Sequence, residues 1–353
     1  MVPGRPASGA GWLDECVGND LGRRLKYWMR RLRTMRVRNI LDTARRVHDA
    51  SGKPVPLILA DMVWCTLRYE SGYADYEEYE YFNLNGAQRR TMLSAAQNNR
   101  LIQRYNPIEF RYKFQDKREF NRIFADYLGR QWLDVEASTT DELRAFLARH
   151  PRVMVKPISA EAGAGIEVLR AADVTDHETL HARLTADGPV ILEEFVTQHP
   201  ELSRLAPDSV NTIRIVTFRR DDTVTVLARV LKMGTGAPID NFGAGGVYTT
   251  LDEAGVALYG AIGNSGRVLQ VHPQTGVEIV GFQVPRFAEV LALADRLARV
   301  VPEIPYVGWD IAVTPDGPIV IEGNENTGLW WMRPSLSGVK EGLLPAYREA
   351  MGF

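Results

Sequence analysis

Asp310, Glu322 and Asn324 fall within VGWDIAVTPDGPIVIEGNENTG, the segment from Val307 to Gly328. Two apolar runs flank Thr-Pro-Asp-Gly-Pro, whose residues favour a tight turn. A hairpin centred on Asp316 sets Asp310 directly across from Glu322. Asn324 lies two residues beyond Glu322 and shares its face, while Ile311, Val313 and Val320 take the other. Two carboxylates opposed across a ladder repel, with β-carbons about 4.5–5.5 Å apart. A cation between them removes that penalty. Carboxylates and an amide carbonyl are hard oxygen donors, suited to Mg²⁺ or Mn²⁺. Mg²⁺ commonly shares its shell between protein carboxylates and substrate phosphates, so a nucleotide is the natural companion. The plain alternative, a hairpin edge with solvated acids, gives no reason for Asn324 on the same face. Register decides between them, because a slip of one residue flips the faces.

Cations suited to a polyphosphate occur upstream. Lys156 ends the apolar run VMVK and precedes the glycine loop SAEAGAGI (159–166). Glycines let backbone N–H groups approach phosphate oxygens. The loop matches neither the Walker nor the dinucleotide pattern, and alone a flexible turn explains it equally well. NTIRIVTF (211–218) and TVTVLARVLKM (223–233) flank Arg-Arg-Asp-Asp. A two-residue loop at Asp221 and Asp222 sets Arg214 opposite Arg229, with Lys232 slightly further along. Like charges so placed call for an anion; the alternative is one arginine facing solvent on an edge strand. The loop from Asp240 through Asn241 to Gly246 reads either as a lid over a reacting centre or as an exposed connection.

These residues need strands to hold them. RVMVKPI (152–158), PVILEEFV (189–196), NTIRIVTF, TVTVLARVLKM and GPIVIEGN (317–324) read as strands. DELRAFLARH (141–150) and PRFAEVLALADRLARVV (285–301) read as helices. The mixture predicts an α+β architecture. Boundaries are expected near 107/108 and 195/196, giving a mainly helical region 1–107, a unit 108–195 and a unit 196–353. Within the first, residues 20–49 have helical spacing: Leu21, Leu25, Trp28, Met29 and Leu32 share a face opposite a row of arginines. Such a helix, over 20–38, either packs by its apolar face or lies on a membrane surface. The tyrosines and acids of 69–82 read as a substrate cleft or as half-buried packing.

A net charge of −2 gives no electrostatic case for nucleic acid. Two distant cysteines, Cys16 and Cys65, make no disulfide framework. No apolar run reaches the roughly 20 residues of a membrane span, and no secretory signal is visible. A cytoplasmic location is the expectation.

The ordered set Asp116-Lys117, VMVKP with its glycine loop, ILEEFV, NTIRIVT, NFGAGG and GWDIAVTPDGPIVIEGN resembles the ATP-grasp superfamily. It is most similar to the sugar-transfer-associated ATP-grasp proteins, over about Asn106 to Gly328. The resemblance implies two α+β subdomains clasping ATP. It implies Lys117 and Lys156 on the phosphates, and Glu193, Glu194, Phe195 and Val196 as an adenine hinge. Glu201 would meet the ribose and Arg214 the γ-phosphate; Lys232 and Asn241 complete the nucleotide set. Asp310, Glu322 and Asn324 would hold the metals. The helical amino-terminal third departs from the family's usual strand-rich domain. The segment NTGLWWMRPSLSGVKEG that follows the metal residues is aromatic and basic. Arg333 and Lys340 in it are either ligands for an anionic substrate or surface charges. The implied activity is carboxylate–amine ligation through an acyl phosphate, with Lys156, Arg214 and Arg333 at the chemistry. It is implied for polysaccharide or natural-product biosynthesis. A hydroxyl kinase and a nucleotide-binding module without turnover are the alternatives.

Overall fold

The computed structural model describes residues 37–158, 165–186, 188–236, 240, 245–263 and 266–353. The expected helix 20–38 lies almost wholly outside them, as do Asn241 and most of both glycine loops. The chain divides into two compact units, one of residues 1–98 with 333–353 and one of residues 99–332. Residues 333–353 thus group with the amino-terminal region.

The first unit is helical in its described part. Helices α1 (Val37–Ser51) and α2 (Val55–Tyr69) are joined at Gly52, whose φ of +70° suits a residue without a β-carbon. One face of α2 buries Ile58, Met62, Cys65 and Thr66. Asp61 receives both Arg89 Nη1 and Nη2 at 2.7 Å, and the Tyr76 hydroxyl at 2.7 Å. The tyrosine run packs inward: the rings of Tyr76 and Tyr81 stack at 6.0 Å, and both are fully buried. It serves as packing, the second of the two readings above.

The second unit holds two antiparallel sheets. Before the first sheet runs α3 (Lys117–Ile123), capped by the Asp116 carboxylate, which accepts from the Arg118 N–H. The first sheet contains β1 (Trp132–Asp134), β2 (Arg152–Pro157), β3 (Glu167–Arg170) and β4 (Val190–Glu194), in the order β1-β4-β2-β3. Val153, Val155 and Leu192 alternate onto the face covered by α4 (Thr140–Arg149) and α5 (His177–Ala186). Met154, Lys156 and Glu193 occupy the other face.

After α6 (Pro200–Leu205) the second sheet begins. It has seven strands, ordered β11-β10-β5-β6-β7-β8-β9. They are β5 (Thr212–Arg220), β6 (Thr223–Met233), β7 (Val247–Thr250), β8 (Ala261–Gly263), β9 (Val268–Leu269), β10 (Tyr306–Val313) and β11 (Pro318–Asn324). Helix α7 (Phe287–Leu297) covers one face. Ile213, Ile215, Val307, Trp309, Ile311 and Val320 point into that core. The Trp309 ring meets Phe114 at 5.9 Å and Phe124 at 5.4 Å. Each such aromatic pair contributes about 0.5–1.5 kcal/mol beyond area burial. Because strand side chains alternate, anchoring Trp309 below the sheet turns Asp310 to the upper face. A last helix, α8 (Leu344–Met351), returns to the helical unit. Among the described residues, no helix is long and apolar enough to cross a membrane.

Candidate functional site

The hairpin of β10 and β11 pairs Asp310 with Glu322, as its sequence predicts, by a different route. The turn is Thr314–Gly317, so Val313 meets Pro318 and Ile311 meets Val320. That centre falls half a residue short of Asp316. Ile321, an extra residue in β11, makes up the difference. Past this bulge Gly308 pairs with Asn324, and Asn324 Nδ2 donates to Glu322 Oε1 and to the Gly308 carbonyl, each at 3.3 Å. Gly323 lets the strand lie close on the aromatic core: a β-carbon there would stand 2.8 Å from the Phe114 ring.

The pairing of Arg214 with Arg229 does not form. Leu227 bulges from β6, so Val216 meets Ala228 while Thr217 meets Val226. Arg214 then faces Val230, and Arg229 sits opposite Ile215 on the other face. The counter-charge of Arg214 comes instead from β10, where Asp310 is its direct partner. Arg214 Nε donates to Asp310 Oδ1 at 2.5 Å and Nη2 to Oδ2 at 2.8 Å. Lys232 shares the face of Val230 and donates to Asp310 Oδ2 at 3.1 Å. Its ammonium also lies 3.6 Å from Asp240, which accepts from the Thr212 N–H at 2.8 Å. Arg214, Lys232 and Asp310 are all buried.

The electrostatics divide the two opposed acids. Burial alone would raise Asp310, but Arg214 and then Lys232 hold its carboxyl well below the usual range. Glu322 is open to solvent along one edge, yet the protein packed around it pushes its carboxyl up, and Asp310 pushes it further. The cations therefore satisfy Asp310 and leave Glu322 short of positive charge.

On the first sheet, Lys156 Nζ donates to Glu193 Oε2 at 2.5 Å. Arg130 grips the same carboxylate, Nε to Oε2 and Nη2 to Oε1, each at 3.0 Å, and Asn121 Nδ2 adds a bond at 3.1 Å. The buried carboxyl is held far below its usual range by Arg130 and Lys156 against its own desolvation. Arg130 also reaches the carbonyls of Val320, at 2.6 Å, and Ile321, at 3.0 Å. It thus ties β4 to the bulge of the acid hairpin. No local pattern in the sequence marks Arg130 or Asn121 for this task. Lys117 donates to the Ile158 carbonyl at 3.3 Å. Burial lowers its pKa; Glu322 and Glu193 pull it up, and Lys156 pushes it down, which places these four charges together.

The remaining expected residues are spread more widely. Glu194 accepts from the Gln131 N–H at 3.0 Å, and the Arg152 guanidinium lies 3.8 Å over the Phe195 ring. With Val196 they line a cavity of about 450 Å³, to which Lys156, Arg214, Asp310 and Glu322 contribute nothing. Glu201 is exposed, paired with Arg204 at 2.7 Å. Arg333 belongs to the helical unit, where its charge acts on Glu78. Trp330, by contrast, stands over Arg214, its ring 5.3 Å from the guanidinium, and meets Tyr248 edge-on at 5.0 Å.

Among the described residues no three His, Cys, Asp or Glu side chains cluster as a metal site. The candidate set is two carboxylates and an amide. It fits a hard divalent cation in its oxygen chemistry and in the unmet charge of Glu322.

A protein-family profile described as sugar-transfer-associated ATP-grasp matches residues 96–342, more than half of the chain. The chain belongs to the sugar-transfer-associated ATP-grasp family. Its two sheets are the α+β ATP-grasp fold, here joined to a helical amino-terminal region. No curated protein matches this ATP-grasp sequence. Among solved structures it is similar to the ATP-grasp ligase PsnB complexed with minimal precursor, at 17% identity and a TM-score of 0.43. That match covers 70% of this chain and 64% of PsnB, so the chain spans less than two thirds of PsnB. D-cycloserine synthetase DcsG follows at 15% identity and a TM-score of 0.40, covering 72% and 77%. A RimK domain ATP-grasp protein from Sphaerobacter thermophilus is similar at 14% identity and a TM-score of 0.35, covering 62% and 60%.

Proposed function

We propose that this ATP-grasp chain is an ATP-dependent ligase that joins a carboxylate to an amine through an acyl phosphate, in the making of a cell-surface polysaccharide or natural product. The observation that carries the reading is the opposed pair Asp310 and Glu322, with Asn324 on the same face, Arg214 and Lys232 bonded to Asp310 and the charge of Lys117 acting with Glu322. Asp310, Glu322 and Asn324 would hold Mg²⁺, or Mn²⁺ in its place. When bound, the ion offsets negative charge on the phosphates of ATP.

Lys117, at the start of α3, and Lys156, on β2, would meet the phosphates. The backbone of Glu194, Phe195 and Val196 would meet the adenine, with the ribose near Glu201. Arg214 and Lys232, set on the floor of the site by Asp310, stabilise charge on the transferring phosphoryl group. The γ-phosphoryl leaves ADP and bonds to a carboxylate oxygen. An amine nitrogen then attacks the acyl carbon, the C–O bond to phosphate breaks, and the nitrogen loses its proton. Positioning and charge suffice for both steps, so no nucleophilic side chain is needed.

Hydroxylamine distinguishes the outcomes. With ATP, Mg²⁺ and a carboxylate substrate, a ligase forms a hydroxamate together with ADP. ADP release with a phosphorylated, hydroxylamine-resistant product identifies a kinase. ATP binding without ADP release identifies a module without turnover.

A further inference from the structure

Two hydrogen-bond donors at the charged centre have no acceptor. Arg214 spends Nε and Nη2 on Asp310, and among the described residues its Nη1 bonds to nothing. Trp330 stands on the same guanidinium, with 5.3 Å between its ring centre and Cζ. Its indole N–H is buried and is unpartnered as well among the described residues. Buried donors are nearly always satisfied, so one that is not calls for a reason. The neighbouring Trp331 N–H is in the same condition.

The fold holds Trp330 in this place. Tyr248 on β7 is the direct partner of Lys232 on β6, so its side chain rises on the face that carries Arg214 and Asp310. The Tyr248 ring meets Trp330 edge-on at 5.0 Å, and its hydroxyl donates to the Trp331 carbonyl at 3.2 Å. Glycines keep side chains away from both donors. A β-carbon at Gly308, two residues before Asp310 on the same face, would stand 3.2 Å from Arg214 Nη1. One at Gly328 would stand 3.4 Å from the Trp330 indole nitrogen. A guanidinium and an indole donate and do not accept, so together they suit an anionic oxygen. In the site proposed above, the anion that comes to Arg214 is the phosphoryl group in transfer.

We propose that Trp330 is a further catalytic residue, whose indole N–H donates, with Arg214 Nη1, to an oxygen of the transferring phosphoryl group. This rests on the ATP-dependent reading above. Calorimetric titration of the full chain with ADP and with the β,γ-imido analogue of ATP, each with Mg²⁺, tests it. The ratio of the two affinities isolates the terminal phosphoryl contact, because both ligands share the rest of the nucleotide. Trp330→Phe keeps a ring on Arg214 and removes the N–H. It is expected to lower the preference for the analogue about tenfold, the worth of a hydrogen bond to a charged group, and to leave ADP affinity unchanged. Gly328→Ala sets a methyl group against the same N–H and should shift the preference in the same direction. Trp331→Phe should keep the wild-type preference. An unaltered preference in Trp330→Phe overturns the proposal; should that variant not fold, an unaltered preference in Gly328→Ala does so. A loss that appears in Trp331→Phe and not in Trp330→Phe moves the donor to the neighbouring indole and overturns it equally. A wild-type chain that binds neither nucleotide fails the ATP-dependent reading itself, an outcome distinct from nucleotide binding with an unaltered preference.

Discussion

Arg214 and Asp310 stand directly opposite each other on β5 and β10, and the guanidinium grips both carboxylate oxygens, at 2.5 and 2.8 Å. This bond fixes the proposed phosphate ligand Arg214 and the proposed metal ligand Asp310 in one buried unit. Breaking a buried pair from one side costs about 3–5 kcal/mol, and Lys232, which stays on Asp310 when Arg214 is removed, puts the cost at the lower end of that range. Arg214→Leu is therefore expected to lower unfolding free energy by about that amount and to abolish turnover. The double variant Arg214→Leu, Asp310→Leu should be the more stable of the two. Denaturant titration checks this; a double variant that loses the sum of two single losses contradicts it.

The pH dependence follows from Glu193 and Asp310, both held well below the ordinary carboxylate range by buried cations. The unfolded chain binds their protons more readily than the folded one. Their contribution is therefore complete above the unfolded pKa and is lost as pH falls through the depressed folded value. Glu193→Gln is expected to be less stable than wild type at pH 7 and to show a shallower acid limb below about pH 4.5. Melting temperatures measured from pH 7 to pH 3 decide this, and parallel curves for the two proteins contradict it.

Glu322 has the opposite sign. Burial and Asp310 raise its pKa, so the folded state holds its proton more tightly. Ionising it weakens the fold as pH rises from the unfolded value through the raised one. Glu322→Gln removes that repulsion. It is expected to melt at or above the wild-type temperature at pH 7, while turnover falls about a hundredfold or more. Addition of Mg²⁺ and ATP should then stabilise wild type and leave the variant unmoved, by thermal shift.

How much of this the sequence discloses depends on distance along the chain. The facing of Asp310 and Glu322 is legible because a turn and two alternating strands lie within one hairpin. The bulge at Ile321 compensates for an offset in the turn that the pattern cannot resolve. An equivalent bulge at Leu227 has no compensation and removes Arg229 from the face of Arg214. Asp310 as the partner of Arg214 is 96 residues away, and Arg130 reaches Glu193 across 63. No spacing rule joins residues so far apart; only sheet order does. β2, β4, β5, β6, β11, α4 and α7 follow their hydrophobic periods, whereas the short strands β1, β3, β7, β8 and β9, the helices α5 and α6, and the return of residues 333–353 to the helical unit are not legible in them.

The most direct test of the site is a crystal of the full chain with a non-hydrolysable ATP analogue and Mn²⁺, read by anomalous scattering. The expected result is a manganese peak within coordination distance of Glu322 and Asn324, with the analogue's terminal phosphate beside it and the Lys117 and Lys156 ammonium groups on its oxygens. Nucleotide bound elsewhere, or a peak away from both side chains, would contradict the account.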